Sequence, residues 1–133
     1  MIIYNIENLQ KCQVIKRPSS KCKTPYVADV KLSNDELTLA HTPSLGCCGL
    51  CEKDCFVMVR ENQTKKTCSH SVILSCVKEN DKEIYVGIYP KLAEDIVNKA
   101  LTLNCFSELQ NIKKLEREKK FLNSRFDFYG LNE

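Results

Sequence analysis

The sequence lacks several features that define common classes of protein. It has no long uninterrupted apolar run and no basic leader before an apolar stretch, so we expect neither a transmembrane helix nor a secretion signal. It also lacks a large excess of one charge, because 20 Lys and Arg against 17 Asp and Glu give only +3. That charge is too small to demand a polyanionic partner by itself. Tryptophan is absent and aromatic residues make up 8%, which leaves Tyr4, Tyr26 and Phe56 to stack on nucleic-acid bases.

What the sequence does have is a globular composition and many cysteines. With 133 residues, 43% hydrophobic and 28% charged, it indicates one compact domain or one domain plus an incomplete second. Nine cysteines are many for this length, and an odd number cannot all pair within one chain. Since no leader is seen, we predict an intracellular, reducing compartment, cytoplasm or nucleus, with mostly free thiols and no membrane partner.

Short apolar segments separated by polar ones predict strands in the first part of the chain. In the second segment apolar residues alternate with more polar ones, which predicts one inward-facing apolar face. Its apolar residues are Tyr26, Ala28, Val30 and Leu32. The side chains of residues 33–35 favour a tight hairpin turn. Five strands in so short a stretch of sequence fit a small β-barrel. The predicted strands are 12–17, 25–32, 36–42, 55–60 and 71–78.

After about residue 80 the pattern becomes a mixture of strand and helix. A strand is predicted at 83–88, and Pro90 then opens an amphipathic helix, since proline is tolerated in the first helical turn. A second, shorter helix is predicted at 107–115, followed by a charged run and a strand at 125–129. We therefore predict an α+β protein with an N-terminal extension at 1–10, a barrel at 11–80 and a further segment at 81–133.

Basic residues fall in clusters, each of which could neutralise phosphates. Only a shared face would make them one binding surface, and binding would then weaken steeply with salt. The alternative is that they are ordinary solvated cations. The candidate nucleic-acid-binding residues are Lys16, Arg17, Lys21, Lys23, Arg60, Lys65 and Lys66, and a further charged cluster comprises Lys113, Lys114, Arg117, Lys119 and Lys120.

The cysteine-rich turn at 46–55 has the spacing of metal ligands. Cys48 and Cys51 form a C-x-x-C pair, and Cys55 lies within reach. Cys47 or His41 would supply a fourth zinc ligand. A structural zinc site usually takes two paired ligand sets, however, and this turn supplies one. We therefore favour packed or surface thiols over a zinc site or a thiol-redox role.

Two carboxylates near the end of the sequence, Glu118 and Asp127, are separated by a short connection. Hard oxygen ligands hold Mg²⁺, and the ion polarises a phosphate, so a converging pair is what magnesium-dependent phosphodiester cleavage uses. The alternative is an ordinary ion pair of Asp127 with Arg125 or a neighbouring lysine.

Three motifs occur in the order and spacing of a known family. They are YVADV at 26–30, HTPSLG at 41–46 and SRFDF at 124–128. From about Lys11 onward the chain resembles the sugar fermentation stimulation protein A (SfsA) family, whose versions are FLADV, H-x-PNTG and E...SRFDF. The resemblance implies an OB-like five-stranded β-barrel followed by a partial α/β segment of a restriction-endonuclease-like, PD-(D/E)XK domain. It also implies DNA binding and a nuclease function in the family.

Carried over to this sequence, the resemblance makes Glu118 and Asp127 the first two acidic residues of a nuclease core. The motif residues His41, Ser44, Gly46 and Arg125 join the candidate nucleic-acid contacts. The sequence departs from the family at Ser44-Leu45, where the family has Asn-Thr, and a following strand with Glu-x-Lys has no counterpart. Because that lysine would position the attacking water and its carboxylate would complete the metal shell, we expect the chain alone to be a poor nuclease.

The sequence therefore predicts a protein that binds DNA mainly through phosphates, with little sequence specificity. We expect no tightly bound cofactor, and Mg²⁺ only where a second polypeptide or a homo-oligomer completes the nuclease-like site. Two alternatives stay open. The chain could be one piece of a split or truncated magnesium-dependent nuclease, or an adaptor or structural subunit of a larger assembly.

Overall fold

The computed structural model describes residues 1–64 and 66–132, and over these ranges the fold is mostly β. The strands are β1 (Leu9–Lys16), β2 (Val27–Lys31), β3 (Leu37–His41), β4 (Phe56–Glu61), β5 (His70–Glu79), β6 (Lys82–Gly87), β7 (Lys114–Phe121) and β8 (Ser124–Leu131). The helical elements are α1 (Pro90–Thr102) and a 3-10 turn (Ser107–Leu109). The chain divides into two compact units, a larger one at 6–90 and a smaller one formed by 1–5 and the residues from 91 onward. Over the described ranges, no helix has the length and apolarity that a membrane crossing requires.

The larger unit is a sheet whose first five strands close into a ring. The strand order is β3-β2-β1-β4-β5-β6, and neighbours in this order are antiparallel. A short parallel pairing of β3 with β5, through Ala40↔His70 and His41↔Ser71, joins the two ends of the five-stranded part. The structure thus has a strand at each of the five predicted positions. The predicted strand at 83–88 is β6, which extends the same sheet beyond β5 and therefore lies in the larger unit.

Two tight turns rely on residues that tolerate left-handed backbone. The predicted turn at 33–35 is confirmed: Asp35 has a φ of 65°, and the Asn34 Oδ1 accepts the N–H of Glu36 at 3.1 Å. Asn80 and Asp81, with φ values of 47° and 63°, connect β5 to β6. Two consecutive left-handed residues are typical of a type I′ hairpin, which matches the twist of the strands that it joins.

The core of the larger unit is rich in valine, whose branched side chain suits a pleated sheet. In the second predicted strand Ala28, Val30 and Leu32 are buried as expected, but Tyr26 lies in the turn before β2 and is 43% exposed. Val72 and Ile73 are adjacent in β5 and both fully buried, so this strand is covered on both faces at that point. The core cluster comprises Cys12, Val14, Ala28, Val30, Leu32, Ala40, Cys47, Cys51, Val57, Val59 and Val72.

In the smaller unit, the predicted helix at 107–115 is wrong beyond its first turn. Only Ser107–Leu109 is helical, because Asn111 adopts a left-handed φ of 63° that ends any continuation. Three apolar residues of this segment, Leu109, Ile112 and Leu115, instead line an apolar cleft of about 540 Å³ together with Leu101 and Phe128.

The charged run at 113–120, for which no strand was predicted, forms most of β7. It pairs in antiparallel fashion with β8, which contains the predicted strand at 125–129. Charges in β7 are compensated on the surface: Lys119 Nζ lies 3.0 Å from Glu116, and Arg117 lies within 3.1 Å of both Glu94 and Asp95 of α1. The composition of this charged run alone indicates a solvated segment. Because opposite charges lie close to one another here, the run can nevertheless form a strand.

Candidate nucleic-acid interface

Arg17, at the end of β1, connects two loops of the larger unit. Its Nε donates to the carbonyl of Pro25 at 2.8 Å, and its Nη2 donates to those of Ser44 and Leu45 at 2.5 and 3.2 Å. The side chain is only 3% exposed. Arg17 is therefore not the surface phosphate contact that the sequence predicted, because its donors hold the segment after β3 against the segment before β2.

The charge of Arg17 is only partly compensated. Its Nη1 lies 3.6 Å from Glu52 Oε1, and this buried nitrogen makes no hydrogen bond within the described part of the chain. Thr42 supports the same junction, since its hydroxyl is buried and donates to the carbonyl of Pro25 at 2.7 Å. The motif residues Ser44 and Gly46 thus lie in a turn whose position depends on a buried cation.

Asp29, in β2, holds the loop that follows β1. Its Oδ1 accepts the hydroxyl of the buried Ser19 at 2.6 Å, and its Oδ2 accepts the N–H of Ser20 at 3.0 Å and the Ser20 hydroxyl. Burial opposes ionisation of Asp29, but the hydrogen bonds from Ser19 and Ser20 outweigh it and lower the pKa of this carboxyl below its ordinary value of 3.8. The ionised carboxylate therefore fixes the loop that carries Lys21 and Lys23, both of which are exposed.

A cleft of about 430 Å³, which we call the polar cleft because most of the residues that line it are polar types, opens where this loop meets the end of β3 and the start of β5. Three of its residues adjoin one another across the sheet, because Val27 of β2 pairs with His41 of β3, and His41 pairs with Ser71 of β5. Asn62, in the loop between β4 and β5, connects two other residues that line the cleft. Its side-chain amide donates to the Cys68 carbonyl at 3.0 Å, and its Oδ1 accepts the Ser71 hydroxyl at 2.7 Å. The polar cleft is lined by Cys22, Thr24, Val27, His41, Asn62, Thr64, Lys66, Thr67, Cys68 and Ser71.

The structure brings some of the predicted contacts together at the polar cleft and leaves others apart. His41 and Lys66 line it, and Lys21 and Lys23 flank the lining residue Cys22 in sequence. Arg60 lies within β4 and is not among the lining residues, Lys16 is exposed at the end of β1, and Lys65 lies outside the described residues.

Sequence reasoning missed the uncharged polar side chains of the polar cleft. Thr24, Asn62, Thr64, Thr67 and Ser71 all line it. The polar run from Asn62 to Thr67 is a signal that could have indicated them, because hydroxyl and amide groups accompany lysine in phosphate contacts.

Two cysteines of the cysteine-rich turn contribute to the core of the larger unit. Cys47 is buried, and Cys51 is fully buried, which raises the pKa of its thiol to about 12. Cys48 is exposed with a φ of 49°, and the Cys55 thiol donates to the carbonyl of Gly49 at 3.3 Å. Within residues 1–64 and 66–132, no three Cys, His, Asp or Glu side chains are grouped as metal ligands.

The two candidate catalytic carboxylates lie in the β7–β8 hairpin where the residue pairing skips one position on each strand. Glu118 and Asp127 lie between the pairs Arg117↔Phe128 and Lys119↔Phe126, and Glu118 has a left-handed φ of 52°. Glu118 forms an ion pair with Arg125. The alternative pairing of Asp127 with Arg125 is thus not seen; the Asp127 side chain is exposed and makes no hydrogen bond or ion pair with the described residues.

Comparison with known proteins identifies relatives over most of the chain. No family model matches it. It is 30% identical over 121 residues to a sugar fermentation stimulation protein homolog of Clostridium perfringens (strain SM101 / Type A), covering 90% of this chain and 49% of the relative. A homolog from Clostridium kluyveri is 31% identical over 124 residues, with 92% and 50% covered.

The fold comparison agrees with the sequence comparison. The structure of Pyrococcus furiosus SfsA in complex with Ca²⁺ superposes with a TM-score of 0.76 at 16% identity, over 96% of this chain and 51% of that protein. The chain spans about half the length of the relatives that it matches. The resemblance to SfsA proteins is therefore confirmed, and the fold is SfsA-like.

Replacing Arg17 by Met should destabilise the larger unit by about 2–4 kcal/mol, because the carbonyls of Pro25, Ser44 and Leu45 lose a charged donor. Urea unfolding followed by circular dichroism measures the loss. Lys16→Met is the matched control, since Lys16 is the exposed neighbour and should change stability by less than about 0.5 kcal/mol. Equal effects of the two substitutions would show that the Arg17 contacts contribute nothing.

Replacing Asp29 by Asn should cost about 1–3 kcal/mol at neutral pH, because the loop loses charge-assisted hydrogen bonds. Since the folded-state pKa of Asp29 is lowered, its contribution is present above pH 3.8 and is lost as the pH falls through the lower folded value. Urea unfolding at decreasing pH should therefore show the wild-type and variant curves converging. Asp35→Asn, on an exposed turn, serves as the control. The account is contradicted if the loss of unfolding free energy in Asp29→Asn stays constant as the pH falls into the acid range.

Proposed function

Taking the relationship to the sugar fermentation stimulation proteins as the premise, we propose that this chain binds nucleic acid, DNA in particular, mainly through backbone phosphates. The observation that supports the proposal is the polar cleft, which is lined by His41, Lys66 and the hydroxyl side chains of three threonines, Thr24, Thr64 and Thr67. None of its described lining side chains is acidic. Such a set of donors is typical of phosphate contacts, which fix a protein on nucleic acid without reading sequence.

The distribution of charge favours this cleft over the other basic clusters. Lys21 and Lys23 are exposed and flank the lining residue Cys22; neither forms a close ion pair with the described residues, although the charge of Lys21 helps to lower the pKa of Asp29. By contrast, Lys11 is paired with Glu83 at 2.9 Å, and Lys119 with Glu116 at 3.0 Å. A cation that already has a carboxylate partner gains less from a phosphate, so the unpaired lysines should supply most of the attraction.

The scarcity of aromatic residues supports phosphate contacts over base stacking. Tyr26, exposed in the turn before β2, is the aromatic residue nearest in sequence to the lining residues Thr24 and Val27. One stacking residue gives little sequence preference. We further propose that the five-stranded ring of the larger unit is OB-like and that the smaller unit corresponds to part of a nuclease-like domain.

The test is a titration of fluorescent duplex DNA of two unrelated sequences at two salt concentrations. Both duplexes should bind at low salt and weaken steeply as salt rises, because binding releases counterions. Lys66→Gln should reduce the slope of log affinity against log salt by about 1 for each sequence alike. Lys82→Gln, an exposed lysine of β6 outside the candidate set, should leave the slope unchanged.

The absence of binding at low salt, or binding that is indifferent to salt, would contradict the proposal. It would favour the alternative of an adaptor or structural subunit. An equal change of slope for Lys66→Gln and Lys82→Gln would show that phosphates are contacted elsewhere than in the polar cleft.

A second candidate function rests on the β7–β8 hairpin. Glu118 and Asp127 lie between the same two residue pairs of the hairpin, the Asp127 side chain has no hydrogen bond or ion pair with the described residues, and the Pyrococcus furiosus protein was solved in complex with Ca²⁺. Carboxylate oxygens are suitable ligands, although a cation would compete with Arg125 for Glu118. We propose that these two side chains bind a divalent cation as part of a nuclease site to which a further polypeptide segment contributes.

Replacing Asp127 by Asn should weaken Ca²⁺ binding at least about tenfold, because one of two carboxylate ligands is lost. Isothermal titration of the purified chain with Ca²⁺ measures the effect. Asp81→Asn, in the exposed β5–β6 turn, is the matched control and should bind as the wild type does. Unchanged affinity in Asp127→Asn would place any calcium site elsewhere.

A further inference from the structure

Two cysteines that the proposed function does not use lie on the polar cleft. Cys22 belongs to the loop after β1, and Cys68 belongs to the loop before β5; both line the same opening and both are partly buried free thiols. They belong to two loops that are far apart in sequence, and the closed ring of strands brings both loops to the same cleft.

The backbone on each side of the pair is held by side chains. The N–H of Cys22 lies 3.4 Å from the hydroxyl of Ser19, which is itself anchored on Asp29. The carbonyl of Cys68 accepts the amide of Asn62 at 3.0 Å. The two thiols are therefore presented from ordered segments instead of freely moving tails.

Burial raises the pKa of the Cys68 thiol, and a negative charge on Cys22 would raise it further, which agrees with the two thiols lining one cleft.

We propose that Cys22 and Cys68 are a disulfide-forming pair, oxidised by low-molecular-weight disulfides such as glutathione disulfide, that links the two loops at the polar cleft. This modification site goes beyond the proposed function and does not depend on it.

The chemistry balances with that oxidant alone. The Cys22 thiolate attacks one sulfur of glutathione disulfide, forming a mixed disulfide and releasing a glutathione thiolate that takes up a proton. The Cys68 thiolate then attacks the Cys22 sulfur, forming the intramolecular disulfide and releasing the second glutathione. Two protein thiols are oxidised and one glutathione disulfide is reduced to two glutathione thiols. Cys68 is the resolving residue, because its raised pKa leaves little thiolate to attack first.

Other cysteines of the larger unit are poorly suited to this exchange. Cys12 and Cys51 lie in the core, 3% and 0% exposed, and burial raises the pKa of each thiol to about 12. Their thiolates are scarce and screened from a disulfide in solution. Oxidation should thus spare the two core thiols and leave the pair at the polar cleft open to exchange.

The test treats the fully reduced chain with glutathione disulfide, blocks remaining thiols with N-ethylmaleimide and maps cross-linked peptides by mass spectrometry with fragmentation. The expected product is a Cys22–Cys68 peptide that has lost two hydrogens and disappears on reduction with dithiothreitol. Cys68→Ser should stop the reaction at the mixed disulfide on Cys22, and Cys22→Ser should abolish the cross-link. Cys105→Ser, a partly buried cysteine of the smaller unit, should leave its yield unchanged.

Circular dichroism of each reduced variant establishes that it is folded before oxidation. If the folded wild type gives no Cys22–Cys68 peptide, or if Cys22 links to other cysteines with equal yield, the proposal is overturned. Persistence of the mixed disulfide on Cys22 in the wild type would equally overturn it, since Cys68 would then not resolve it.

Discussion

The parallel pairing of β3 with β5 is the constraint on which the larger unit depends. Only two residue pairs carry it, Ala40↔His70 and His41↔Ser71, yet it joins the ends of a five-stranded order that would otherwise leave β3 as an open edge. An unpaired edge exposes backbone donors and acceptors to other chains. The pairing also brings the loop before β5 beside the end of β3, and the polar cleft opens at this junction.

Two buried or half-buried charges then fix the loops at that junction. Arg17 holds the turn after β3 through backbone carbonyls, and Asp29 holds the loop after β1 through hydroxyl and amide donors. Each charge is committed to internal contacts, which leaves the exposed lysines nearby as the groups that a polyanion can meet. The charges that order the site are thus different residues from those that we propose to contact phosphate.

Local patterns predicted much of the fold, because alternation and turn chemistry are short-range properties. The five strands and the Asn34–Asp35 turn follow from such patterns. The closure of β3 on β5 has no local signature, since it joins residues far apart in the chain. A charged run gives no local sign of β7, because the carboxylate partners of its cations lie partly in α1. The sequence indicates a surface cation at Arg17, because nothing in its neighbours reveals the carbonyls that surround it.

The central claim, that nucleic acid binds across the polar cleft, is tested most directly by amide hydrogen exchange with and without duplex DNA at low salt. The account predicts slower exchange at 19–24, 41–46 and 62–69 when DNA is added, with the β5–β6 turn at 80–81 unchanged. Protection confined to β6 or to the β7–β8 hairpin, with exchange at the polar cleft unaffected by bound DNA, would contradict it.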